Sequence, residues 1–198
     1  MPNLDLLQIY LVVLNVVTCA MGAIDERVRA RTRASGISLW VFGFFSCAGG
    51  GMGVLVGSLA FGGRANKDRV AKRFFAVWSI VLWALLLANA YGWNRFDMSR
   101  LVANLPGDHR PLCVYLAAVN VVTCALFFVD KARARSGAWR IRESVLLSFV
   151  LLGGSLGGLL GMLLARHKVR TSYFMVGVPL ALVLQVVVAA YLVQAGVC

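Results

Sequence analysis

The chain has 198 residues, of which 60% are hydrophobic and 14% charged, against about a quarter charged in soluble domains. Too little polar surface is left for a soluble globular domain, and that class is excluded. A net charge of +12 would ordinarily point to nucleic acid, but Lys and Arg confined to short loops between apolar runs report membrane topology first.

In chain order, the uncharged runs are 6–24, 34–63, 74–94, 111–129, 144–165 and 171–198. Each has 19 residues or more, and about 20 helical residues cross a hydrocarbon core about 30 Å thick. Each run therefore predicts an apolar helix. The opening Met1-Pro2-Asn3-Leu4-Asp5 lacks the basic start of a signal peptide, so the first run is expected as a helix rather than a cleaved leader. The five cysteines, Cys19, Cys47, Cys113, Cys124 and Cys198, lie in or beside these runs without CxxC or Cys/His spacing. They read as small hydrophobes, and no metal or cofactor is expected.

The first helix carries Asn15-Val16-Val17-Thr18-Cys19-Ala20, and the fourth repeats it as Asn120-Val121-Val122-Thr123-Cys124-Ala125. Asp25 and Asp130 follow at the same interval, each opening an arginine-rich loop with Ser35-Gly36 or Ser136-Gly137. Glycine-rich runs come next, with Gly49, Gly53 and Gly57 matching Gly153, Gly157 and Gly161. A second basic loop contains Asn66-Lys67 or His167-Lys168, and Phe74-Phe75 or Tyr173-Phe174 begins the last helix. This order predicts a tandem duplication of a three-segment unit, with 1–93 as copy one, 94–110 as linker and 111–198 as copy two.

Within copy two, Asp130-Lys131-Ala132, Trp139-Arg140-Ile141, Glu143, Gly153-Gly154-Ser155, Gly157, Gly161-Met162, Arg166-His167-Lys168 and Phe174 resemble a small bacterial membrane family, domain of unknown function 1294. The resemblance implies an integral membrane domain without assigned activity. It also implies a link to nucleic acid, since some members carry a cold-shock domain that this chain lacks. Copy one has Ile37-Ser38 and Ala65-Asn66-Lys67 in place of the Arg-Ile-x-Glu and Arg-His-Lys elements. Copy two has Arg142 where the family usually has proline.

The fold class expected is all-α and polytopic, with either six crossings or four crossings plus two glycine-rich re-entrant segments. Six simple crossings divide the 20 basic residues equally between the two faces, against the positive-inside rule. If 34–63 and 144–165 enter and return, 17 fall on one face and three on the other. Glycine doublets and triplets supply the backbone freedom for such a turn. The four-residue glycine spacing instead favours continuous helices packed closely against a neighbour.

No ionisable residue lies within a run, which counts against a buried-carboxylate proton pathway. Asn15 with Thr18, and Asn120 with Thr123, share a helix face. They read as interhelical hydrogen bonds or as a polar site between the units. Asp25 is expected to pair with Arg29, Asp130 with Arg133 and Glu143 with Arg140, while His167 between Arg166 and Lys168 reads as an interfacial anchor. No triad, P-loop or dinucleotide loop is present, so no enzyme is expected. The functional expectation is a multi-pass protein of the cytoplasmic membrane with a pathway or binding site for a solute, ion or lipid. The alternative is a platform whose basic loops hold anionic lipid, RNA or a partner protein. Expected partners are the bilayer, anionic lipids and a second copy of the chain, with nucleic acid below these.

Overall fold

A computed structural model describes residues 5–32, 36–61, 67–93 and 95–196. Ser35, Asn66 and Cys198 lie outside the described residues. All described elements are helical: α1 Leu6–Thr32, α2 Leu39–Phe45, α3 Gly51–Ala60, α4 Lys67–Ala90, α5 Met98–Asn104, α6 Arg110–Arg135, α7 Glu143–Phe149, α8 Ser155–Ala165 and α9 Ser172–Gln194. One wide helical turn joins α2 to α3 at Ser46–Gly50, and another joins α7 to α8 at Val150–Gly154. Counting each of these pairs as one, six helices are long and apolar enough to cross a membrane. The chain divides into two compact units, Met1–Leu87 and Ala88–Cys198.

In the first unit, the segment formed by α2 and α3 folds back on itself. The break is at Gly49, whose φ of +115° and ψ of 0° suit a residue without a Cβ. Before it, the Ile37 N–H donates to Asp25 Oδ1 at 2.5 Å, and Phe42 lies 3.9 Å beneath the Lys72 ammonium. After it, Ser58 accepts at its carbonyl from Arg73 at 2.9 Å. Adjacent residues of α4 thus touch both arms, although a straight helix would hold Phe42 and Ser58 about 24 Å apart. The bend itself lies beside Tyr10 and Trp83, which donate to the carbonyls of Ala48 and Cys47, each at 2.9 Å.

The second unit contains a hairpin of the same kind. Ile141 N–H donates to Asp130 Oδ1 at 3.1 Å, and His167 Nε2 stands 2.8 Å from Asp130 Oδ2. One carboxylate therefore holds both ends of a 23-residue apolar segment, Glu143–Ala165, whose straight length would be about 34 Å. The chain reverses at Gly153, with φ +121° and ψ −6°. The arms touch closely enough that a Cβ on Gly158 would stand 2.9 Å from Val150 Cγ2. Of the two arrangements open in the sequence, the structure has the folded-back one.

The glycine spacing that favoured straight helices has a different cause. In each series the first glycine makes the turn and the other two let the return arm approach a neighbouring helix. A Cβ on Gly57 would lie 3.0 Å from the Cys19 carbonyl oxygen, and one on Gly161 would lie 2.8 Å from Phe127 Cβ.

Within the segment expected as a linker, 94–110, residues 95–104 contact α9 in the second unit. Asp97 caps α5 by accepting from the Ser99 N–H at 2.9 Å. The Ser99 hydroxyl, donating to Asp97 Oδ1 at 2.6 Å, and then this N–H hold the Asp97 carboxyl below the usual carboxylate range. Gln194 accepts from the Asp97 N–H at 2.8 Å and Asn104 donates to the Gln194 carbonyl at 2.9 Å. Phe96 meets Tyr191 edge to face, with ring centroids 5.3 Å apart. Polar and aromatic contacts of this kind were not legible in a stretch singled out only by its lower hydrophobicity.

Candidate functional site

The tip of each hairpin is a helix end, where the last four carbonyls lack intrahelical donors. In the first unit the carbonyls of Cys47, Ala48, Gly49 and Gly50 receive Trp83, Tyr10, Asn15 and Thr18 at 2.9 to 3.0 Å. In the second, Gln185 serves Val150 and Leu151, while Tyr115 and Asn120 serve Leu152 at 2.5 Å and Gly153 at 2.9 Å. Gly50, Val150 and Gly153 are buried, and an unmet polar group at such a position costs about 1–3 kcal/mol.

The asparagines do the most. Asn15 donates to the Leu11 and Gly49 carbonyls and accepts from the Gly53 N–H at 2.7 Å. Asn120 donates to those of Leu116 and Gly153 and accepts from the Gly157 N–H at 2.6 Å. Each amide joins the end of the outgoing arm to the start of the return arm within its own unit. This is the hydrogen-bonding role open in the sequence, with the bond made to broken backbone. Thr18 and Thr123 pack on Gly50 and Gly154, where no Cβ fits.

The base of each hairpin is charged. Asp25, buried with 1% of its surface exposed, accepts from Ile37 N–H, pairs with Arg29 at 3.0 Å as expected, and pairs with Lys72. Arg29 also reaches Asp68 at 2.8 Å, and Arg69 reaches Glu26 at 2.6 Å. Asp130, equally buried, takes His167 at 2.8 Å and Lys168 at 3.1 Å. Lys168 continues to Glu143 at 3.7 Å, and Glu143 accepts from the Tyr173 hydroxyl.

Two expected pairs are therefore replaced. Arg133 and Arg140 are exposed, and their places beside Asp130 and Glu143 are taken by residues 30 or more positions away. Spacing along a helix proposed local partners, whereas chain reversal supplies better buried ones. His167 accordingly lies within the cluster, while Arg166 beside it is exposed and Lys131 is half-buried. His167 is flanked by two non-glycine residues in the left-handed region, Arg166 at φ 45° and Lys168 at φ 60°. Such conformations cost about 1–3 kcal/mol each and persist where surroundings impose them. Here the two turns aim His167 and Lys168 at one carboxylate.

Sequence reasoning missed Tyr10, Tyr115, Trp83, Gln185, Lys72 and Tyr173 as participants. For two of them a signal existed: Tyr10 and Tyr115 each stand five residues before the repeated asparagine, so the shared motif begins earlier than its contiguous hexapeptide. Among the described residues no group of His, Cys, Asp and Glu is arranged to hold a metal ion.

These features define a class of protein: all-helical chains with apolar helices of membrane-spanning length and glycine-broken hairpins closed on buried aspartates. The family described as a protein of unknown function (DUF1294) matches residues 120–174. That stretch begins at the asparagine that latches the turn and ends at Phe174, which lies 4.8 Å beneath the Lys168 ammonium. The uncharacterized protein YsdA of Bacillus subtilis (strain 168) is 35% identical over 79 residues, covering 40% of this chain and 89% of YsdA. The chain belongs to this family. No solved structure matches it.

Proposed function

We propose that the chain is a non-enzymatic, multi-pass protein of the cytoplasmic membrane, built by tandem duplication, whose re-entrant hairpins form a binding or permeation element for a small solute, ion or lipid. The observation that carries this reading is the closure of Glu143–Ala165 on Asp130. Ten residues of α6 separate Asp130 from Asn120, about 15 Å of helix and half a hydrocarbon core. With Asp130 at the interface, the broken turn lies near the midplane. Irregular backbone at that depth is tolerated where protein covers it or where it lines a water-filled cavity, and discontinuous helices at the midplane form the solute sites of many transporters.

Duplication is supported by the recurrence of Tyr, Asn, positive-φ Gly and buried Asp in equivalent bonds. The charges agree with re-entry: 17 of the 20 basic residues fall in the loops at the hairpin bases, and three in 95–110.

The test is cysteine labelling in membranes with a membrane-impermeant maleimide. Each variant keeps one thiol, and the other cysteines are replaced. Thiols at Gly137 and Arg170 should label from the cytoplasmic face and one at Gly107 from the opposite face. Gly137 and Arg170 on opposite faces would refute re-entry. Native Cys47 and an introduced Leu152→Cys, both at hairpin tips, should label from the aqueous phase. Their complete protection, with topology as stated, would leave the hairpins as packing elements and remove the pathway.

A further inference from the structure

We propose that the hairpin base of the second unit is a binding surface for anionic phospholipid headgroups, with Trp139 as its interfacial anchor. Six arginines occupy it: Arg133, Arg135, Arg140, Arg142, Arg166 and Arg170. All six are exposed, and none has an ion pair among the described residues. The acids that would neutralise them, Asp130 and Glu143, are already engaged by His167, Lys168 and Tyr173. The hairpin brings these arginines together, because Ile141 and His167 meet on Asp130 and so place 140–142 beside 166–168.

The first unit differs in how its cations are used. Arg29, Arg69 and Lys72 bridge Asp25, Glu26 and Asp68, and Arg73 is bound to Ser58. Its described charges mostly hold the unit together, whereas the six arginines of the second unit face outward.

Phosphate of a lipid, rather than of RNA, fits the position of this surface. Trp139 is 84% exposed in the middle of the arginines, and Trp beside basic residues is the side-chain pairing of the membrane–water interface. Guanidinium groups at the ends of membrane-length helices lie at headgroup level, and each basic residue near an anionic leaflet strengthens attraction about fivefold. This inference rests on the membrane placement proposed above, which the labelling experiment tests separately.

The full chain is reconstituted in nanodiscs containing phosphatidylcholine and phosphatidylglycerol, and the lipids retained after mild detergent extraction are counted by native mass spectrometry. Wild type should retain phosphatidylglycerol at least about fivefold above its bulk ratio. Changing Arg133, Arg140, Arg142 and Arg166 to Gln should remove that enrichment, whereas Arg95, Arg100 and Arg110 changed to Gln should leave it. Helicity and monodispersity confirm that each variant folds. Equal enrichment in both variants, or none in wild type, overturns the proposal. So does recovery of RNA bound through the same four arginines when phosphatidylglycerol is not enriched.

Discussion

His167 Nε2 stands 2.8 Å from Asp130 Oδ2 across 37 residues of chain that contain a complete apolar hairpin. Asp130 is 1% exposed and also accepts from Ile141 N–H, so one side chain closes the base. Removing one partner of a buried ion pair leaves the other uncompensated and costs about 3–5 kcal/mol. Asp130→Leu should destabilise the second unit by about that amount, and Asp130→Asn by less, because its amide oxygen still accepts from Ile141. Proteolysis at Arg166 or Arg170 in reconstituted protein should accelerate in the same order. Unchanged cleavage in Asp130→Leu would show that the base is held by packing alone.

At the other end of the hairpin, Asn120→Leu leaves the Gly153 carbonyl and the Gly157 N–H without their side-chain partners. We expect a loss of about 1–3 kcal/mol in reversible unfolding from mixed micelles. Asn15→Leu should behave alike in the first unit, through Gly49 and Gly53. If the two replacements prove neutral, the latches contribute nothing to the turn.

Glycine substitutions separate the two uses of this residue. A Cβ on Gly157 would collide with the Asn120 backbone, and overpacking of that kind costs about 1–3 kcal/mol. Gly153→Ala should be destabilising through its φ of +121°, since left-handed backbone costs a residue with a Cβ about 1–2 kcal/mol. Gly43 is helical and has nothing within 4 Å of an added Cβ, so Gly43→Ala should stabilise by about 0.5–1 kcal/mol. Thermal unfolding in detergent ranks the three; equal effects would refute the assignment of roles.

Much of this arrangement was legible before any coordinates. Long uncharged runs mark helices that are long and apolar enough to cross a membrane, and Asn15 and Asn120 stand out because they are polar within such runs. In the sequence the turn positions Gly49 and Gly153 are simply the first members of a regular series. A four-residue period cannot distinguish a glycine that reverses the chain from one that admits a neighbour. Proximity in sequence points to Arg133 and Arg140 as partners, whereas Lys72, His167 and Tyr173 reach the acids only once the hairpin has formed.

Reversal also makes a distance expectation that needs no assumption about function. Arg142 precedes α7 and Arg166 ends α8, and a continuous helix between them would span about 36 Å. In the folded-back segment their neighbours Ile141 and His167 share the Asp130 carboxylate. Spin labels at Arg142→Cys and Arg166→Cys, in a background without other cysteines, should therefore give a dipolar distance well under that length. Both side chains are exposed, so labels there leave the buried cluster intact. In Asp130→Leu the distribution should broaden, because two of the ties that close the base are lost together. A single sharp population near the straight-helix length would mean that Glu143–Ala165 crosses the membrane, and the re-entrant reading would then fail with it.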